Sequence, residues 1–223
     1  GASGVRRPGQ IVVAPVTVSF ITQTDLNAYQ AVGDPLLELL GDKRAQGLTG
    51  EQWLIESEPK RLVAWATYSP LILTGNRLRV LDVGAGFSSL SFLLADRHDY
   101  LAVDLGAHDP APPAPCFVGD WWDFPLYEFD VVVAADLFPN VDQRLDAFLR
   151  RFASNSLRLA LTVYEDRWYQ TRRVDGDELL TMQAWDWSQT QRVLQRHLTL
   201  DRIGPPPAES LFPNGRQVCL VTT

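Results

Sequence analysis

The chain of 223 residues is 46% hydrophobic and carries 27 acidic against 20 basic side chains, a net charge of −7. That size suits a single α/β domain with a large core, and an acidic balance without a cluster of cations excludes a surface built to neutralise nucleic-acid phosphates. Cys116 and Cys219 read as small buried hydrophobes rather than a disulfide; no apolar run reaches the roughly eighteen residues of a membrane span and no signal-peptide pattern is visible, so a cytoplasmic protein with no membrane partner is expected.

Gly1 to Gly9 are set aside from the fold reading. From Thr24 to Leu40, Leu26, Tyr29, Leu36, Leu37 and Leu40 recur at helical spacing, interrupted by Gly33-Asp34-Pro35, which predicts two short helices. A second helical stretch runs from Thr49 or Glu51 to Leu73, with Trp53, Leu54, Leu62, Trp65, Ala66 and Leu71 as its apolar members and a break at Pro59. Residues 1–61 form a prefix ahead of a compact unit over 62–223.

Leu78 to Ser89 describe a buried strand that breaks into a glycine turn and opens a helix. Val80, Leu81 and Val83 suit a parallel strand covered on both faces, and Gly84 and Gly86 let backbone approach a ligand closely. The N–H groups near Ser88 and Ser89, at the helix start, are expected to face the same ligand. The third glycine of a dinucleotide fingerprint is absent, Ser89 standing in its place.

Further apolar runs follow at fixed offsets. Tyr100 to Asp104 ends in a carboxylate roughly twenty residues downstream, where an acid that binds a ribose diol is expected. Cys116-Phe117-Val118 leads to Gly119-Asp120, and Asp120 with Trp121 could grip an adenine by a hydrogen bond and ring stacking. Phe129 to Ala135 is a fourth strand closing at Asp136.

These segments resemble the class I S-adenosylmethionine-dependent methyltransferases. The resemblance rests on Val80-Leu81-Asp82-Val83-Gly84-Ala85-Gly86, on Asp104, on Gly119-Asp120 and on Phe129 to Asp136, and covers about residues 62 to 223. It implies a Rossmann-like α/β fold with a seven-stranded mixed sheet in the order 3-2-1-4-5-7-6, flanked by helices, with 1–61 as an extension and helical lid. The cofactor contacts it implies are Asp82, Gly84, Ala85, Gly86, Asp104, Leu105, Asp120, Trp121, Asp136 and Phe138, with Asp104 on the ribose, Asp120 on the adenine amine and Asp82 near the cofactor amine. Tyr29, Trp53 and Trp65 become candidate lid residues, with core filling the commoner role for each taken singly. The implied cofactor is S-adenosylmethionine, with a small-molecule substrate, no metal, no nucleic acid, and a homodimer left open.

Beyond the fourth strand, Val141 to Phe152 reads as a helix, Leu157 to Val163 as a fifth strand, and Asp177 or Glu178 to His197 as a long helix. Strands at Leu198 to Ile203 and Gln217 to Val221 close the chain. Chemistry is expected where the fourth and fifth strands end, which brings forward Asp136, Phe138, Asn140, Tyr164, Glu165, Trp168 and Tyr169.

His98, His108 and His197 fall away from this edge, so either a carboxylate, Asp136 or Glu165, serves as base or the nucleophile needs little activation, as a neutral amine would, and the amine is favoured. Asn140 would orient it, Tyr164 or Tyr169 would hydrogen-bond it or face the sulfonium, and Asp136 is a carboxylate within reach. Asn140 could equally be the N-cap of a helix starting at Val141. Two alternatives stand beside methyl transfer: an intramolecular cyclase of the azetidine-2-carboxylate synthase type releasing methylthioadenosine, and a non-catalytic cofactor-binding scaffold.

Overall fold

The computed structural model describes residues 15–41, 48–106, 114–125, 127–172 and 178–223. In chain order they form β1 (Val16–Ile21), α1 (Gln23–Ala31), α2 (Pro35–Leu40), α3 (Thr49–Glu56), α4 (Glu58–Leu73), β2 (Arg79–Val83), α5 (Ser89–Arg97), β3 (Asp99–Asp104) and β4 (Cys116–Val118). Then come β5 (Val131–Ala135), α6 (Leu145–Phe152), β6 (Ser156–Tyr164), β7 (Trp168–Arg172), β8 (Leu179–Gln183), α7 (Trp187–His197), β9 (Leu200–Ile203) and β10 (Arg216–Thr222). His108 lies outside the described residues.

Eight strands make one sheet in the order β4-β3-β2-β5-β6-β10-β1-β9, and β7 pairs with β8 alone. β4, β3, β2, β5 and β6 are parallel neighbours, while β10 runs antiparallel to both β6 and β1. Without β1 this is the expected order. The correction to seven strands has a plain cause: Val16, Val18 and Phe20 alternate with Thr17 and Ser19, a period-two pattern that buries one face. β1 wedges between β10 and β9, so part of 1–61 belongs to the sheet rather than to a separate lid.

Each face of the sheet carries its own core. Leu81, Val83 and Val132 pack against Leu145, Phe148, Leu149 and Phe152 of α6 and Val193 and Leu194 of α7. Val80 and Val133 point the other way, toward α1 to α5. Complete burial of Phe148 and Leu149 contributes roughly 1.5–3 kcal/mol each.

Pro70 sits inside α4 and can offer no N–H to the carbonyl of Ala66 one turn back. Arg158 of β6 reaches across and donates to Ala66 (3.1 Å) and Thr67 (2.7 Å) instead, which fastens α4 to the sheet despite the break in its ladder.

Two other segments differ from expectation. Residues 178–197 are not one helix: β8 precedes α7, whose start is fixed by a capping box between Asp186 and Gln189. The helix expected from Val141 begins only at Leu145, and Val141 is exposed. Asn140 is therefore not an N-cap.

Candidate active site

The glycine turn follows β2 at the point where the sheet order reverses between β3 and β5, the place where open α/β sheets bind ligands. Gly84 (φ +68°) and Gly86 (φ +62°) take up left-handed conformations that glycine adopts without strain. Gly84 donates to the carbonyl of Val103 (2.8 Å), and Gly86 donates to the Asp104 carboxylate (2.8 Å), so turn and acid are fixed to one another. The N–H of Gly106 also reaches Asp104 (3.0 Å); each carboxylate oxygen has further acceptor capacity.

The start of α5 does not meet the expectation for it. The Ser88 N–H is taken by Ser91 Oγ, and the Ser89 N–H donates to Glu51 Oε2 at 2.7 Å, joined by the Ser89 hydroxyl at 2.9 Å. A buried carboxylate from α3 thus fills the positive end of α5. Beside it the Gly50 N–H donates to the Gly86 carbonyl (2.5 Å), and a Cβ at Gly50 would lie 2.1 Å from that oxygen. Gly50, rather than Gly86, is where the packing demands glycine, and sequence reasoning passed it over.

Two cavities open around this turn. The larger, about 620 Å³, is lined among others by Gly84, Asp104, Leu105, Gly119, Trp121, Asp136 and Arg144. The second, about 240 Å³, is lined by Gly50, Trp53, Tyr68, Asp82, Ala85, Gly86 and Ser91 and shares Gly84, Ala135, Asp136 and Val141 with the first. Leu105 is an exposed rim of the larger one. Of the candidate lid residues only Trp53 lines this space; Tyr29 and Trp65 line a groove elsewhere.

Asp82 is a buried carboxylate strongly perturbed by its surroundings. It accepts from Tyr100 (2.8 Å) and from Tyr68 (2.9 and 3.0 Å). Burial raises its pKa to about 7 despite those hydrogen bonds, with the charge of Asp104 adding to the rise. The two tyrosines are buried and held well above their ordinary pKa by the same burial, so both remain donors.

Trp121 lines the larger cavity, whereas Asp120 lies beside it in a cluster of charged groups. Asp120 does not line the larger cavity; its carboxylate accepts from Arg144 (2.9 and 3.1 Å). Arg144 also pairs with Asp142 (2.7 Å) and lies 4.8 Å over the Trp121 ring. Burial pushes Asp142 up, yet hydrogen bonds from Arg144 and Trp121 outweigh it and hold the carboxyl below its usual range. Trp121 packs edge-on against Phe138 and Phe148 and donates through Nε1 to Asp142 (2.8 Å), leaving only part of its surface to the cavity. The sequence gives no local signal for Arg144, which lies in an irregular turn.

The predicted catalytic group does converge. Asp136, Phe138, Asn140, Tyr164 and Tyr169 line one cavity of about 70 Å³ together with Thr162 and Arg216, which sequence reasoning missed. Asp136 (φ +59°) turns the chain after β5, and its carboxylate accepts from Thr162 Oγ1 (2.5 Å) and Arg216 Nη1 (3.0 Å). Asn140 spends its amide on backbone, donating to the Thr162 carbonyl and accepting from the Trp185 N–H (3.0 Å), which ties the turn after β5 to β6 and to the segment before α7. Tyr164 and Tyr169 stack at 4.0 Å. Phe138 is fully buried and presents only a wall. Glu165 and Trp168 lie outside this cavity. His98 is buried between Leu71 and Leu78, and His197 faces Asp146, both away from the site.

No family model and no curated protein matches the chain. Among solved structures, it is similar to the 1,6-didemethyltoxoflavin N1-methyltransferase of Burkholderia thailandensis, crystallised with 1,6-didemethyltoxoflavin and S-adenosylhomocysteine, at 16% identity and a TM-score of 0.51, covering 88% of each chain. It also matches the PH0226 protein of Pyrococcus horikoshii at 16% identity and a TM-score of 0.47, covering 77% of this chain and 94% of that one. The magnesium protoporphyrin IX methyltransferase of Synechocystis, with bound S-adenosylmethionine, matches at 15% identity and 0.45, covering 89% and 97%. With the sheet order, the glycine turn at the reversal point and the Asp104 carboxylate beside it, the chain has the fold of the class I S-adenosylmethionine-dependent methyltransferases.

Proposed function

We propose that the chain is an S-adenosylmethionine-dependent methyltransferase that acts on a small molecule through an amine-type nucleophile. The observation that carries this reading is the pair of cavities meeting at Gly84 and Asp136, with the Asp104 carboxylate in one and Asp82 in the other. The residues fit the cofactor. Asp104 offers acceptor capacity for a ribose diol, the larger cavity has the size of a small-molecule site, and Asp82 can receive an ammonium. The Burkholderia thailandensis neighbour is an N1-methyltransferase by name and supports the choice of nitrogen.

S-adenosylmethionine brings a methyl group on sulfur with a neutral thioether as leaving group, so the protein's main task is alignment. Trp53 covers the second cavity from α3, and Gly50 and Glu51 hold that helix on the glycine turn. Asp136 has both carboxylate oxygens engaged and Asn140 is spent on backbone, so neither is an idle base. A neutral amine needs none.

A second reading, ring closure by the amino group of S-adenosylmethionine itself, is favoured by one feature. Asp82, with its pKa raised to about 7, lines the smaller cavity and could take the proton of that ammonium. The nitrogen lone pair would then form the bond to the γ-carbon as the carbon–sulfur bond breaks and methylthioadenosine leaves. Incubation with S-adenosylmethionine alone, followed by mass spectrometry, separates the two. Methylthioadenosine with azetidine-2-carboxylate supports ring closure, whereas turnover to S-adenosylhomocysteine only after an amine is added supports transfer.

A further inference from the structure

Arg216 is the first residue of β10 and the cross-strand partner of Tyr164. Its side chain is only 13% exposed, and its guanidinium centre lies 3.8 Å over the Phe212 ring. Nη1 donates to Asp136, while Nε and Nη2 are buried and find no hydrogen-bond partner among the described residues. A desolvated, unpaired charged donor is costly and uncommon in a folded protein. These two nitrogens share one edge of the planar guanidinium and present parallel N–H groups, the arrangement that matches the two oxygens of a carboxylate.

The surroundings narrow the ligand. Arg216 lines the cavity that holds Asn140, Tyr164 and Tyr169, and this cavity shares Asp136 and Val141 with the second one. Asp136 already offsets the charge of Arg216, so a monoanion is held where a dianion would be repelled by the neighbouring carboxylate. Burial raises Tyr164 to about 12 and Tyr169 above its usual range, so both hydroxyls keep their protons and add donors to the wall. The volume of about 70 Å³ admits a carboxylate end and little more, leaving the rest of the molecule to extend past Val141 toward the glycine turn.

We infer that the Nε–Nη2 edge of Arg216 is a carboxylate anchor, so that the molecule presenting its amine to the methyl group is an amino acid or a related carboxylated amine. This rests on the methyl-transfer reading for the identity of the acceptor. The same edge would receive the carboxylate of S-adenosylmethionine if that molecule is itself the substrate.

The test follows the arginine Nε–H signals by NMR in the full chain, with and without S-adenosylhomocysteine. The Arg216 signal is identified by its loss in Arg216→Lys and, should that variant not fold, by its displacement in Phe212→Leu, which removes the ring above it. Acetate and glycine at millimolar concentration are the probes, with methylamine and inorganic phosphate as controls. The inference expects a saturable shift of this one signal with acetate and glycine and none with either control. A shift that persists in the presence of S-adenosylhomocysteine assigns the anchor to an acceptor. A shift produced by S-adenosylhomocysteine itself, which then blocks acetate, assigns it to the cofactor's own carboxylate. No response to any carboxylate, or an equal response to phosphate, overturns the inference. Calorimetric heat with S-adenosylhomocysteine reports separately on the cofactor reading, so either can fail alone.

Discussion

Glu51 accepts the backbone N–H of Ser89 at 2.7 Å and so places a buried carboxylate of α3 on the positive end of α5. Its second oxygen, Oε1, is buried with no hydrogen-bond partner among the described residues. Glu51→Ala removes the bond and the favourable charge at the helix end, and stability should fall by about 1–3 kcal/mol. Glu51→Gln keeps an acceptor and should lose less. Urea denaturation checks both, and equal stability of all three proteins contradicts the capping role.

Gly50→Ala probes how closely α3 must approach the turn. Alanine is the better helix former, yet its Cβ would lie 2.1 Å from the Gly86 carbonyl oxygen. The helix has to lift, which opens the smaller cavity. Affinity for S-adenosylhomocysteine should drop at least about tenfold, equivalent to about 1.4 kcal/mol, with the circular dichroism spectrum kept. Unchanged affinity would mean that α3 has no part in the binding site.

Asp82 makes a pH-dependent contribution whose sign follows from its pKa. The folded value of about 7 lies above the ordinary carboxylate value, so the folded state holds the proton more tightly than the unfolded chain does. The associated stability is fully present below about pH 4 and is lost as pH rises through about 7, at most about 4 kcal/mol. Asp82→Asn should flatten this decline. Urea midpoints for both proteins at acidic and mildly alkaline pH supply the comparison, and parallel pH profiles refute it.

Arg158 and Pro70 should be coupled. Arg158→Met leaves the Ala66 carbonyl without a donor and should cost roughly 1–3 kcal/mol, whereas in a Pro70→Ala background the helix supplies its own N–H to that carbonyl. A double-mutant cycle should give a coupling above about 0.5 kcal/mol. Additive losses would show that the two residues do not share the carbonyl.

What the sequence made legible lies mostly where structure is local. β2, its glycine turn and β5 are runs of buried β-branched residues ending in glycine or aspartate, and they sit in the sheet as expected. The grouping of Asp136, Asn140, Tyr164 and Tyr169 followed from reading which strand ends share an edge. The misreadings have identifiable causes. β1 is six residues long and lies ahead of the periodic helices, and β8 is a half-exposed strand whose leucines and methionine suit a helix equally well. The Asp186–Gln189 capping box was the signal that would have placed α7. Nothing in the neighbourhood of Asp120 announces its partner Arg144, twenty-four positions on, and the Arg216–Asp136 pair spans eighty positions. Contacts of that range are written in the topology, not in a motif.

The most direct measurement is calorimetric titration of the purified chain with S-adenosylhomocysteine, repeated on Asp104→Ala. Binding at one site per chain, weakened about ten- to a hundredfold in the variant, or about 1.4–2.8 kcal/mol, is the predicted result. A folded wild-type protein that gives no heat, or a variant that binds as tightly as wild type, would contradict a cofactor seated between the glycine turn and that carboxylate.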